Sequence, residues 1–132
     1  MKVIIMGCGR VGALLTRNLA VGGHHVTVID QNPAAFNRLP EEFIGRTVLG
    51  SGTDMDILRQ AGIEDSDAFV ACTPGDNRNI GASQIAREMF HVPKVVARIN
   101  DPLRGEVFRD LGLQIVCPTL VGAELVRDAL LR

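Results

Sequence analysis

Apolar and polar positions alternate between two periods from one end of the chain to the other. Lys2–Met6 carries Val3-Ile4-Ile5-Met6 without a break, as a strand buried on both faces requires. Arg10–Val21 then places Val11, Leu14, Leu15 and Leu19 at helical spacing. That spacing predicts a helix with those four residues on its inner face, stopped by Gly22-Gly23. His25–Asp30 reads as a second strand. Asn32-Pro33 opens a second helix, with asparagine as N-cap and proline in the first turn. Thr47–Gly50 is a short third strand, followed by a helix from about Asp54 to Ala61 with Gly62 as its stop. Ala68–Cys72 is the fourth strand. A helix from about Asp76 to Phe90 shows Ala82, Ile85, Ala86 and Met89 at helical spacing. Lys94–Arg98 is the fifth strand. Asp101-Pro102 starts a helix that Gly112 ends, Gln114–Cys117 is the sixth strand, and Pro118-Thr119 opens the last helix.

Strands that alternate with helices imply a parallel sheet covered on both faces. The expected fold is α/β, a doubly wound Rossmann-type sheet of six strands forming one domain over residues 1–132. No linker, repeat or low-complexity segment interrupts it. A hydrophobic share of 46% with 22% charged residues fits a packed core and not a disordered chain. A net charge of -1 argues against nucleic acid as a partner. The apolar runs are too short for a membrane span, and the first residues read as a strand rather than a signal peptide, so a cytoplasmic location is expected. Cys8, Cys72 and Cys117 show no zinc-ligand spacing and are expected as reduced thiols.

The chemistry concentrates in one loop. Gly7-Cys8-Gly9-Arg10-Val11-Gly12 joins the first strand to the first helix in the G-x-G-x-x-G pattern. In that pattern Gly7 permits the tight turn, Gly9 lets the backbone approach a pyrophosphate, and Gly12 lets the helix pack closely on the strand. Amides at the helix N-terminus favour an anion. Asp30 ends the second strand, where a carboxylate accepts hydrogen bonds from ribose hydroxyls and repels a 2′-phosphate. NAD or another adenine nucleotide is therefore favoured over NADP. Arg10 is either a clamp on phosphate or a solvated surface arginine. Ser51, Gly52, Thr73 and Pro74 lie in loops at the ligand-binding rim. Asp76 and Asn77 suit a helix cap. Arg98 ends the fifth strand on the same rim, as a second phosphate contact or an ion-pair partner.

With those residues assembled, the chain resembles the RCK or KTN domain, the N-terminal nucleotide-binding unit of Trk/Ktr potassium-uptake regulators. The resemblance rests on Gly7–Gly12, Val28-Ile29-Asp30, Gly50 through Asp54, and Leu58 with Ala61-Gly62-Ile63. It continues through Thr73 with Asp76-Asn77, Ala97 through Pro102, and Leu111-Gly112 leading to Pro118. It implies a cytosolic, non-catalytic subunit that binds NAD(H) or ATP/ADP and gates a membrane-embedded potassium channel or transporter at the inner face of the cell membrane. Carried over by position, the contacts are Gly7, Cys8, Gly9, Arg10, Val11, Asp30, Thr73, Pro74 and Arg98. After the third strand the family often has Gly-Asp-Ala-Thr, whereas this chain has Gly50-Ser51-Gly52-Thr53.

The rival class is the cofactor domain of an NAD-dependent oxidoreductase, which needs an acid or base beside the nicotinamide. The chain has no tyrosine, and His24, His25 and His91 fall at the end of the sheet away from the rim. The last helix, 119–132, has a narrow polar stripe of Glu124, Arg127, Asp128 and Arg132. Its apolar remainder exceeds what one packing face needs, so one side is expected to cover the chain's own sheet edge and the other to join a homodimer.

Overall fold

The structure, a computed structural model, describes residues 1–132. Six parallel strands form one sheet: β1 (Lys2–Met6), β2 (His25–Asp30), β3 (Arg46–Leu49), β4 (Ala68–Ala71), β5 (Lys94–Arg98) and β6 (Gln114–Val116). Their spatial order is β3-β2-β1-β4-β5-β6, the doubly wound arrangement that the alternation of elements predicts. β1 lies between β2 and β4, with Ile5 opposite both Val28 and Val70. The chain reverses its direction of travel across the sheet there. That leaves a crevice beyond the carboxyl ends of β1, β2 and β4.

The five α-helices are α1 (Arg10–Val21), α2 (Met55–Gln60), α3 (Asp76–Gln84), α4 (Pro102–Asp110) and α5 (Pro118–Leu131). None is long and apolar enough to cross a membrane. Alternate residues of β1 serve two cores, as a strand covered on both sides requires. Ile4 and Met6 join Ile29, Leu58, Phe69 and Ala82 on the α2/α3 face. Val3 and Ile5 join Val26, Val28, Ala13 and Ala35 on the α1 face. A smaller cluster of Ile80, Ala97, Ile99, Leu113 and Ile115 seats α4 against β5 and β6.

Helix starts follow their caps. Asp54 accepts from the Asp56 amide at 2.9 Å, and Asp101 accepts from the Leu103 amide at 3.0 Å with Pro102 in the first turn. Asn32 caps in the same way, its Oδ1 accepting from the Ala34 amide at 3.1 Å. The segment it opens, Pro33–Arg38, is a 3-10 helix and not an α-helix. The helix after β4 runs as α3 to Gln84 and then widens into a π-helical turn, Ile85–Met89, where the Phe90 amide donates to the Ile85 carbonyl at 3.3 Å. Ala82 and Ala86 are fully buried as the spacing predicts, but Met89 is turned out to 58% exposure.

Asp76 and Asn77 do not cap α3, whose N-cap is Gly75 with no side-chain bond; Asp76 accepts instead from the Asn100 and Asp101 amides. Two further expectations need correction. α1 buries Gly12, Ala13 and Thr16 instead of Val11 and Leu14, which are 46% and 56% exposed. Leu15 and Leu19 pack against the core as predicted. The reason is steric: the helix lies so near β1 that small side chains must face the strand. A Cβ at Gly12 would collide with the Gly7 carbonyl oxygen. The second correction concerns α5. It covers no sheet edge of its own chain, and none of its residues is buried.

Candidate functional site

The loop after β1 turns back sharply at Gly7, whose φ of +108 favours glycine and whose absent Cβ would sit 2.8 Å from the Cys72 carbonyl oxygen. Gly9 then caps α1 with extended backbone, no side-chain cap and no acidic residue in the first turn. The first amides of α1 are therefore left as donors at the sheet's carboxyl edge. A Cβ built on Gly9 meets no protein atom within 4 Å, so the space in front of it is open.

That space is a cavity of about 410 Å³, within the range of small-molecule sites. Gly7, Cys8 and Gly9 form its floor. Asp30 stands on one side, Ser51 and Gly52 on another, and Thr73 with Pro74 on a third. The site thus brings together eight of the twelve residues singled out from the sequence. Arg10, Val11, Gly12 and Arg98 do not line it. Arg10 is exposed on the outer face of α1, in a shallow cleft with Arg17 and Arg38. Gly12 is buried under the loop and acts through packing. The Arg98 Nε donates to Asn100 Oδ1 at 3.1 Å, and no carboxylate pairs with its guanidinium.

Asp30 has a structural role before any ligand enters. One carboxylate oxygen accepts from the Cys8 amide and the other from the Asn32 amide, both at 2.8 Å. It ties the glycine loop to the start of the 3-10 helix and keeps its remaining lone pairs for the cavity. Gly52 is buried there because Met6 lies where its Cβ would be. Ser51 Oγ and Thr53 Oγ1 share a hydrogen bond of 2.8 Å. On the opposite wall, Asn79 is fully buried. Its Oδ1 accepts from the Thr73 amide (3.0 Å) and hydroxyl (2.7 Å), and its Nδ2 donates to the carbonyls of Thr73 and Arg98, both at 2.8 Å. One amide side chain holds the Thr73 turn against β5.

Sequence reasoning missed two cations. Arg38 and Arg78 line the cavity, so its charged residues are two arginines and one acid, a balance suited to a phosphate-bearing ligand. Arg38 also donates to the Cys8 carbonyl at 3.4 Å. Asn79 was missed as well; its spacing from Thr73 marks a helix interior and says nothing of its four bonds. Burial pushes the Cys8 thiol pKa up, the Asp30 carboxylate pushes it the same way, and Arg38 opposes both. Burial also raises the Cys72 thiol, against the pull of Arg98.

Residues 3–118 match the TrkA-N domain. The chain belongs to the TrkA-N domain family. It is similar to the Trk system potassium uptake protein TrkA of Streptomyces coelicolor, 50% identical over 132 residues, all of this chain and 57% of that protein. A Trk system potassium uptake protein TrkA homolog of Methanothermobacter thermautotrophicus is 33% identical over 133 residues, 100% of this chain and 61% of that protein. This TrkA-N chain therefore spans a little over half the length of these relatives. Among solved structures, the Kef CTD of Shewanella denitrificans in its AMP-bound form is 26% identical, with a TM-score of 0.82 over 98% of this chain and 80% of that one. The TrkA-N domain of the Escherichia coli inner membrane protein ybaL, at 22% identity, shares the fold with a TM-score of 0.86 over 98% of this chain and 96% of that one.

Proposed function

We propose that this TrkA-N domain binds NAD(H) or ATP/ADP in the cavity above Gly9 and serves as a cytosolic regulatory unit of a membrane potassium channel or transporter. The observation that carries the reading is the uncapped start of α1 facing open space, with Asp30 across from it. The pyrophosphate lies on the amides after Gly9, with Arg38 and Arg78 as its counter-charges. Asp30 takes the ribose hydroxyls with the lone pairs that Cys8 and Asn32 leave free. The loops at Ser51-Gly52 and Thr73-Pro74 hold the rest of the nucleotide. A structural relative in an AMP-bound form supports a nucleotide as the ligand, and TrkA relatives named for potassium uptake support the transport setting.

The reading is regulatory and not catalytic. Asp30 is the one carboxylate in the lining, and both its oxygens already hold backbone amides, which leaves it poorly placed to shuttle a proton. The binding partner is a membrane-embedded potassium channel or transporter subunit, reached without insertion of this chain into the bilayer.

A thermal-shift panel of NAD+, NADH, ATP, ADP and NADPH tests ligand choice, since a ligand that binds the native state raises the unfolding temperature. At least one of the first four gives a clear rise, and NADPH a much smaller one. No shift with any of them overturns the nucleotide reading. A shift with NADPH as large as with NADH removes the role given to Asp30.

A further inference from the structure

We infer that Asn100 is a positioning residue that clamps the Thr73–Pro74 rim of the cavity to the first turn of α5, so that an occupied cavity is felt at that helix. The inference rests on reading the cavity as a nucleotide site.

Asn100 follows β5 and is bonded on every side. Its amide donates to Asp76 Oδ1 at 2.8 Å, and the next amide, Asp101, donates to Asp76 Oδ2 at 3.0 Å. Asp76 thereby fixes the backbone of this turn to the start of α3. The Asn100 side chain points to the rim. Its Nδ2 donates to the Pro74 carbonyl at 3.2 Å, while its Oδ1 accepts from Arg98 Nε at 3.1 Å. The Asn100 carbonyl faces the other way. It accepts from the Thr119 hydroxyl at 2.7 Å and from the Cys117 thiol at 3.6 Å. One residue therefore bonds the cavity rim through its side chain and the α5 start through its backbone.

The helix at the far end has few other ties. No residue of α5 is buried. Thr119 is the one α5 side chain that hydrogen-bonds outside its own helix, the other side-chain bonds being those between Arg127 and Asp128. The direction of α5 is thus set near its first turn, and the contact there is with Asn100. Pro74, at the other end of the clamp, lines the cavity. A nucleotide seated against Thr73 and Pro74 fixes the rim. Asn100, held rigid by Asp76, carries that restraint to Thr119. Two positions cut the path separately: Asn100→Ala removes the rim contact and leaves the carbonyl, and Thr119→Val removes the hydroxyl bond and leaves the rim intact.

Hydrogen–deuterium exchange of the full chain, with and without ADP, reads both ends. Without ADP, Asn100→Ala speeds exchange at the Thr73 and Gly75 amides about fivefold, the factor that loss of one hydrogen bond carries, and Thr119→Val does so at Val121 and Gly122, the first bonded amides of α5. In the unmodified protein ADP slows exchange at Gly9, at Thr73 and in the first turn of α5. Each variant keeps the ADP effect at Gly9 and loses it in α5. The inference is overturned if ADP protects Gly9 but leaves the first turn of α5 unchanged, or if both variants pass the effect on undiminished. Absence of ADP protection at Gly9 itself counts against the nucleotide reading. The clamp is then judged on the ADP-free measurements, and unchanged exchange in both variants overturns it.

Discussion

At position 30 a single carboxylate organises the loop that the glycines make possible. Removing it strips the acceptor from two amides as well as from the ligand. Asp30→Ala should weaken NADH binding by about 1.5–3 kcal/mol, the range for hydrogen bonds to a charged group, and should lower the stability of the free protein as well. Calorimetry beside urea unfolding separates the two effects; unchanged affinity would show that Asp30 serves the fold alone. The thiols give a pH signature. Cys8 and Cys72 have folded pKa values above the ordinary value of 9.0. Below that pH both states keep their protons and the contribution is intact. Above it the unfolded chain ionises first, so stability falls as pH rises through and beyond 9.0. Replacing both cysteines with alanine should flatten the fall measured by denaturant midpoint between pH 8 and about 10.5. Position 30 is legible in the sequence because an acid closing the second strand has a defined place in this fold. Arg38 is not, because a 3-10 helix with no helical-period pattern delivers it to the cavity.

Among the elements, the α3 start and the end of β5 act as one unit through Asn79. Asn79 itself is fully buried, so Asn79→Ala takes the partner from the Thr73 amide and from the Thr73 and Arg98 carbonyls, while the Thr73 hydroxyl keeps only Gly75. A loss of about 2–3 kcal/mol in unfolding free energy is expected. A loss under half a kcal/mol would mean that water replaces the amide. Strand order and the caps at Asn32, Asp54 and Asp101 were readable because period, glycine stops and capping residues agree with one another there. The inner face of α1 was not. Periodicity points to the large apolar residues, but the close approach of helix to strand selects Gly12, Ala13 and Thr16 and sends Val11 and Leu14 outward. The π-helical turn is invisible for a related reason. It alters the aim of Met89 without altering the composition of the helix.

For the molecule as a whole, α5 stands away from the sheet with Leu125 64% and Leu130 79% exposed. The excess of apolar residues was legible in the sequence, but the absence of any packing onto its own sheet was not, because a pattern cannot say which partner a face meets. A second copy of the chain is the proposed cover, by the prevalence of symmetric pairs. Light scattering should give a homodimer at tens of micromolar, and Leu125→Glu combined with Leu130→Glu should give a monomer. An unmodified chain that stays monomeric, or a variant that pairs as before, would sink the dimer.

In the proposed function a nucleotide's pyrophosphate fills the open space before Gly9. Because a Cβ there meets no protein atom within 4 Å and the Gly9 φ of -79 suits any residue, Gly9→Val should alter the cavity and spare the fold. Titration calorimetry of NADH and ADP into the unmodified protein and the variant, with circular dichroism on both, tests this most directly. Binding to the unmodified protein, none detectable to Gly9→Val, and superimposable spectra are expected. Undiminished binding by a folded Gly9→Val would contradict that placement of the pyrophosphate.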